Sequence, residues 1–587
     1  MTASSLPRHR RVLRLAVAMV SSLIAGVAVA QSELQVELQA PEAVSDLLER
    51  HVRVLGRPAQ MVPEAPADRL ALMRRTRREV TELLATEGYF SPQVEIRREA
   101  SGRWTLAVVP GERAQVTEVE LSFEGHIASE GLDLARRREA LRRAWTLQAG
   151  QPFRQADWDA AKQQLLDGVA YRDYAAARIS ASRATVDADA ATVRLAVTID
   201  SGPPFFIGPL EVSGLEQLPE NLVARYSMLR QGERFDQERL LALQSLLQNA
   251  PQFASVIVDI DRDPAKAAAV PVRVHVSEAQ SRHLAFGAGF STNTGARAET
   301  NWRDVNLLGR AWELSTGLRV EQRRQAAYAD IFLPPARKGY RDSFGLVVEA
   351  SDIEGLKTTR QAFGAVRARQ RGDIETAISL RYQHESLRPA GGDASARNAL
   401  TANWSWTQRK VDDLLDPRSG YVLRVELGGG TRALLSDQDF FRSYARFVRY
   451  QPVAERDVFI VRAEAGATVA KSRDGIPQDF LFRTGGAQTV RGYAFDSLGV
   501  QQGEAVVGGR YLGTASAEYV HWFRPQWGVA GFIDVGDAAD DRESLDFKTG
   551  YGAGARWRSP AGPIALDLAY GHQARRFRLH FAIAIAF

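Results

Sequence analysis

Cysteine is absent from all 587 residues. That excludes a disulfide framework, thiol chemistry and thiolate metal sites. Long apolar runs are scarce as well: beyond residue 30 no uninterrupted stretch is long enough for a membrane helix, so any membrane role falls to strands. The nine histidines are scattered. His384-Glu385 opens like a zinc-binding helix motif, but Arg388 stands where the second histidine is needed, and the segment reads as a strand. Excess charge is scarce too. The net charge is +5, and residues 1–30 carry four arginines and no acid, so the remainder carries +1. This withdraws support for nucleic-acid binding, which needs a concentrated basic face.

What is present begins with a secretion pattern. Arg8, Arg10, Arg11 and Arg14 form a basic region, Leu15 to Val27 is mostly apolar, and Ala28-Val29-Ala30 offers small residues for cleavage before Gln31. The expectation is a signal peptide over residues 1–30 and a mature chain outside the cytoplasm.

From residue 32 to 280 helical and strand patterns alternate and repeat. Leu106-Ala107-Val108-Val109 runs through Pro110-Gly111 into Val116, Val119 and Leu121. About ninety residues later Leu195-Ala196-Val197-Thr198-Ile199 runs through Ser201-Gly202-Pro203 into Ile207, Leu210 and Val212. Gly150-Gln151-Pro152-Phe153 and Gly232-Glu233-Arg234-Phe235 each precede a leucine-bearing helical stretch. Within the units, Leu70, Met73, Val80 and Leu84 mark a helical face ending near Gly88, and Asp236 is placed as an N-cap. These stripes predict packing inside three small α+β modules at 32–114, 115–203 and 204–280, not cofactor pockets.

After residue 281 the period changes to two. Trp312, Leu314, Thr316, Leu318 and Val320 alternate with Glu313, Ser315, Gly317 and Arg319. Ile374 to Tyr382, Tyr421 to Leu427 and Ile564 to Tyr570 repeat the pattern. The last strand places Phe577, Leu579, Phe581, Ile583, Ile585 and Phe587 on one face, with Arg578 and His580 on the other. One such strand fits a half-buried soluble sheet as readily as a membrane. Many of them, with charges on the second face, predict a closed transmembrane antiparallel β-barrel over 281–587, of about sixteen strands at ten residues each plus turns.

Val490-Arg491-Gly492-Tyr493, within the long segment Gly485 to Gly499, resembles the loop motif of the outer-membrane assembly superfamily of BamA and TamA type. Gly531-Phe532-Ile533-Asp534-Val535-Gly536 and Glu518 in Ala515-Ser516-Ala517-Glu518-Tyr519 are similar to that family's acidic strand positions. Asp416-Pro417-Arg418-Ser419-Gly420-Tyr421, Gly552-Ala553-Gly554-Ala555-Arg556 and Gly287-Ala288-Gly289-Phe290-Ser291 look like its mid-barrel turn, penultimate hairpin and first hairpin. The resemblance implies that the modules are POTRA domains and that Arg491, in a loop folded into the lumen, pairs with Glu518 and Asp534. An arginine suits such a place because its planar fork of donors can serve two carboxylates. Three modules resemble the TamA branch most, since BamA-like proteins typically carry five and two-partner secretion translocators two.

The function this implies is assembly or translocation of outer-membrane proteins, autotransporters among them. By resemblance the partners are membrane lipid, unfolded clients and a TamB-like protein anchored in the inner membrane. The first strand closes against the last, and a seam at Gly287, Gly289, Phe581 and Phe587 is expected to open laterally. Alternatives are a two-partner secretion pore and, with little in the sequence to favour it, a barrel hydrolase. Neither a metal nor an organic cofactor is implied.

Overall fold

The computed structural model describes residues 36–56, 65–100, 104–336, 339–559 and 562–586. Residues 1–30, where a signal peptide is expected, and Phe587 lie outside the described residues. In the first module β1 (Val36–Gln39) pairs parallel with β3 (Trp104–Val109), which pairs antiparallel with β2 (Gln93–Arg98). The second module repeats this with β4 (Gln115–Glu124), β5 (Arg178–Asp187) and β6 (Thr192–Asp200). The third does so with β7 (Ile207–Ser213), β8 (Phe253–Ile260) and β9 (Val270–Glu278). The repeat heard in the sequence is thus one topology used three times.

The helices close one face of each sheet because their apolar stripes meet the alternate residues of its strands. Helix Pro66–Thr86 sends Val80 and Leu84 against Leu106 and Val108. In the second module Trp145 and Trp158 meet edge to face, their centroids 6.0 Å apart, over Leu195 and Val197. Asp236 caps helix Gln237–Gln248 by accepting the Glu238 N–H at 2.9 Å, and Leu240, Leu243 and Leu247 are buried beneath. The first two modules form one compact unit, and the third belongs to a second unit with the barrel.

Sixteen strands close that barrel. They are β10 (Arg282–Ser291), β11 (Gly295–Leu307), β12 (Trp312–Glu321), β13 (Arg324–Phe332), β14 (Tyr340–Ile353), β15 (Leu356–Arg371), β16 (Ile374–Pro389), β17 (Ser395–Val411), β18 (Gly420–Gly430), β19 (Phe440–Ala454) and β20 (Asp457–Ala470). After a loop at 471–510, which holds the short hairpin β21 (Val500–Gln502) and β22 (Ala505–Val507), come β23 (Tyr511–His521), β24 (Trp527–Ala539), β25 (Lys548–Ser559), β26 (Gly562–Gly571) and β27 (Arg576–Ala586). The third module is bound to the turns at one end of the barrel. Gln252 Nε2 donates to Ala311 O at 3.1 Å, Asn306 Nδ2 to Gln217 O at 3.2 Å, and Arg225 Nη2 to Pro334 O at 3.1 Å.

The wall is apolar on the outside. Leu318, Phe344, Leu346, Phe363, Ile378, Leu380, Ile533 and Leu568 are all at least half exposed, whereas Arg491, Glu518, Asp534 and Asp567 are buried. A two-residue repeat places one face toward lipid and the other toward the lumen, so this inversion follows from the alternation itself.

Pairing length is uneven around the ring. β15 and β16 match over sixteen residue pairs, but β10 and β27 match over only five, Gly287↔Ala586 through Ser291↔Ala582.

Candidate functional site

Residues 471–510 fold back into the barrel and touch both sides of it. On one side Asp479 pairs with Arg360, Gln478 N donates to Glu385 Oε2 at 2.8 Å, and Arg397 donates to Ile476 O. The Phe482 ring stacks on Tyr444 at 6.3 Å, and the absent side chain of Gly466 makes room for it. His384 and Glu385, neighbours on β16, project to opposite faces and find different partners: His384 Nδ1 meets Asn398 Oδ1 at 2.8 Å. They share no site.

The other anchor is Arg491. Its Nε and Nη2 grip Asp534 side-on at 2.7 and 2.8 Å, and its backbone N–H donates to the same carboxylate at 3.0 Å. Ser516 Oγ, the register neighbour of Asp534, donates a further bond at 2.7 Å. Arg491 Nη1 reaches Glu518 at 3.0 Å and Asp567 at 3.1 Å. Its Cζ lies 3.4 Å above the centroid of Phe532. The sequence expectation placed Glu518 and Asp534 around this arginine; Asp567 joins them from β26.

Two more cations complete the cluster. Arg556 on β25 bridges Glu518, at 2.6 Å, and Asp567, and Arg462 on β20 reaches Glu518 Oε2 at 3.0 Å. Three guanidinium groups therefore balance three carboxylates, with Asp534 fully buried and Arg491 only 3% exposed. Burial opposes the charge on Arg491, but the Asp534 hydrogen bonds and the surrounding carboxylates outweigh it and hold its pKa above the ordinary arginine value. A charge so enclosed is tolerable only because every donor has an acceptor.

The remaining motif residues seat the tip. Val490 is buried, and the Gly492 N–H donates to His580 Nε2 at 2.9 Å, which requires the Nδ1–H tautomer on that ring. Tyr493 Oη donates to Gln573 Oε1 at 2.6 Å. Gly492 has φ +94°, and a Cβ there would lie 2.6 Å from Gly571 N. A Cβ on Gly550, the register partner of Gly571, would lie 1.8 Å from Arg491 O. The inward face of the wall is bare where the loop backbone touches it.

Asp567, Arg556, Arg462 and His580 were not assigned to this cluster from the sequence. Strand parity was the available signal: Asp567 alternates with outward Leu566 and Leu568, and His580 with outward Leu579. Gly287 and Gly289 lie in the β10–β27 pairing. A side chain on Gly287 would meet Glu299 Cγ at 2.8 Å, so this glycine makes room for a lumen acid. Phe581 O accepts the Thr292 N–H at 3.0 Å just beyond the paired segment.

Comparison with known proteins meets the same two parts. The Omp85 superfamily domain model matches residues 306–587, and the POTRA model, described as a surface antigen variable number repeat, matches residues 125–202. The chain belongs to the Omp85 superfamily. An outer membrane protein assembly factor BamA from Nitratidesulfovibrio vulgaris is 25% identical over 429 residues, 69% of this chain and 53% of that protein's own length. The crystal structure of Haemophilus ducreyi BamA lacking POTRA domains 1–3 superposes with a TM-score of 0.68 at 15% identity, over 81% of this chain and all of that one. CdiB from Acinetobacter baumannii gives 0.46 at 13% identity, over 89% of this chain and 98% of that one. This Omp85 protein is an outer-membrane barrel with periplasmic POTRA modules. The barrel end that binds the third module is therefore the periplasmic end.

Proposed function

We propose that this Omp85 protein inserts or translocates other outer-membrane proteins, autotransporters among them, and that clients enter at the seam between β10 and β27. The short seam carries the reading. Five residue pairs close it where the neighbouring β10–β11 ladder has ten, and among the described residues Arg282–Phe286 have no partner on that side. An unpaired strand edge offers backbone donors and acceptors to an incoming strand without strict sequence demands. The loop occupies the lumen from both walls, which favours this lateral route over a pore through the centre.

In this reading Val490, Arg491, Gly492 and Tyr493, with Glu518 and Asp534, hold the loop against the last strands, and Gly287, Gly289, Phe581 and Phe587 belong to the gate. The proposed domains are the signal peptide at 1–30, POTRA modules at 32–114, 115–203 and 204–280, and the barrel at 281–587. By likeness to the TamA branch, the first module receives a TamB-like partner anchored in the inner membrane.

A chain without cysteine is suited to the test. Ser291 and Ala582 are register partners, at a spacing a disulfide can bridge, so Ser291→Cys with Ala582→Cys locks the seam. Oxidation is expected to stop client insertion into vesicles and reduction to restore it. Unchanged insertion with the cross-link fully formed overturns the lateral route.

A further inference from the structure

Below the apolar belt, on the periplasmic rim, lies a groove of about 1710 Å³ between the third module and the turns of β14–β16. Its charge is one-sided. Arg225 and Arg230 come from the module, and Arg341, Arg369 and Arg371 from the barrel, against the single carboxylate of Glu375, which already pairs with Arg409 at 2.8 Å. Among the described residues Arg230, Arg341, Arg369 and Arg371 make no ion pair. Like charges gathered without partners repel one another, and an anion placed among them relieves that repulsion.

The position of these arginines narrows the anion. Along β15 the outward residues run Phe363, Ala365, Arg367, Arg369 and Arg371, so the strand passes from apolar to basic on its lipid-facing side. Arg367 already holds Asp342 at 2.7 Å, and Arg369 lies 5.0 Å from the ring centroid of Tyr340, an aromatic at the interface. From Arg369 to Phe363 a tilted strand climbs about 15 Å toward the membrane centre, roughly half the hydrocarbon thickness.

Above the basic groove, on the same strands, the outer wall is hollowed. Ile331, Phe344, Leu346, Phe363 and Leu380 line an apolar depression of about 560 Å³. A basic pocket at headgroup height and an apolar trough above it are two halves of one amphiphile's shape.

We propose that this face holds an anionic phospholipid of the inner leaflet, its phosphate among Arg369, Arg371 and Arg230 and one acyl chain in the hollow lined by Phe344, Leu346 and Phe363. The bound lipid bridges the third module to the β14–β16 rim and so fixes the angle at which that module meets the membrane. A zwitterionic lipid fills the hollow equally well and offers the same phosphate, but its headgroup cation cancels that charge and leaves the net excess among the arginines unrelieved.

The test uses the full chain in an uncharged detergent, titrated with phosphatidylglycerol or phosphatidylcholine and read by native mass spectrometry. The wild type is expected to retain phosphatidylglycerol preferentially. Arg369→Gln with Arg371→Gln is expected to reduce that preference about thirtyfold, since the two cations together contribute about 2 kcal/mol at a lipid surface. The double lysine variant keeps most of it. Ala365→Trp, which crowds the hollow, weakens retention with the arginines intact. Heat-modifiable migration of each variant confirms a closed barrel, and Arg371→Gln alone serves if the double variant fails to fold. Equal retention of the two lipids overturns the proposal, as does an unchanged preference in the double glutamine variant. Displacement of lipid by inorganic phosphate alone would identify a free-anion site instead. Arginine-dependent capture of an acidic peptide, without lipid preference, would identify a protein-binding face instead.

Discussion

The POTRA modules and the barrel solve the same problem with opposite sides of their sheets. In the modules the largest side chains withdrawn from solvent are apolar, among them Tyr174, Phe235, Leu48 and Leu195, and the charges lie outside. In the barrel, phenylalanines and leucines face outward while Arg491, Glu518, Asp534 and Asp567 are buried inside as a paired set. Both regions use strands of alternating residues; only the surrounding solvent differs. A core is therefore defined by what surrounds the sheet, and in the barrel buried ion pairs and hydrogen bonds share it with small apolar clusters such as Leu356, Leu387, Ala505 and Val507.

The largest expected break in this comparison is Arg491→Ala. Removing one partner of a buried cluster leaves carboxylates uncompensated, and the cost is about 3–5 kcal/mol. The expected outcome is a marked fall in the urea midpoint of the folded barrel and loss of client assembly. Arg491→Lys should recover little, because a point charge cannot grip Asp534 side-on while reaching Glu518 and Asp567. Wild-type stability and activity in both variants would show that the cluster does not hold the loop.

The matching break in a module is Leu195→Ala, which opens a cavity beside Val197 and Trp158 at a cost of about 2–5 kcal/mol. Unfolding followed by tryptophan fluorescence should show an earlier transition for the modules, with the barrel's heat-modifiable migration unchanged. A parallel loss of barrel stability would mean that the two regions do not fold as separate units.

The sharpest use of the comparison is Leu380→Arg on the outward face. On the surface of a soluble sheet an exposed leucine replaced by arginine changes stability by less than about 0.5 kcal/mol, whereas at mid-bilayer the cost is about 2–4 kcal/mol. Refolding into vesicles should show the larger penalty, although Leu380 is 54% exposed in the isolated chain.

Period-two alternation made the barrel legible, and a recurring Gly/Pro joint made the repeated modules legible, because both are local properties of the chain. Arg491, Glu518 and Asp534 were legible through their motifs. The rest of the cluster was hidden for a physical reason. Asp567 and Arg556 lie on different strands, and only hydrogen-bond register places them within reach of the same guanidinium; no local pattern in the sequence encodes that register. The close approach at Gly550 was equally hidden, since it depends on a loop whose tip lands on a wall made later in the chain.

That order has a temporal meaning. Arg491 is synthesised before Glu518, Asp534 and Asp567, and before Arg556. Strands β20 to β24 already set Arg462 and Arg491 against Glu518 and Asp534, and β25 then adds Arg556, one charge in excess until β26 brings Asp567. Neutrality is lost with β25 and regained with β26. The cluster thus ties β25 to β26 by electrical balance: the last arginine and the last carboxylate suit the interior only together.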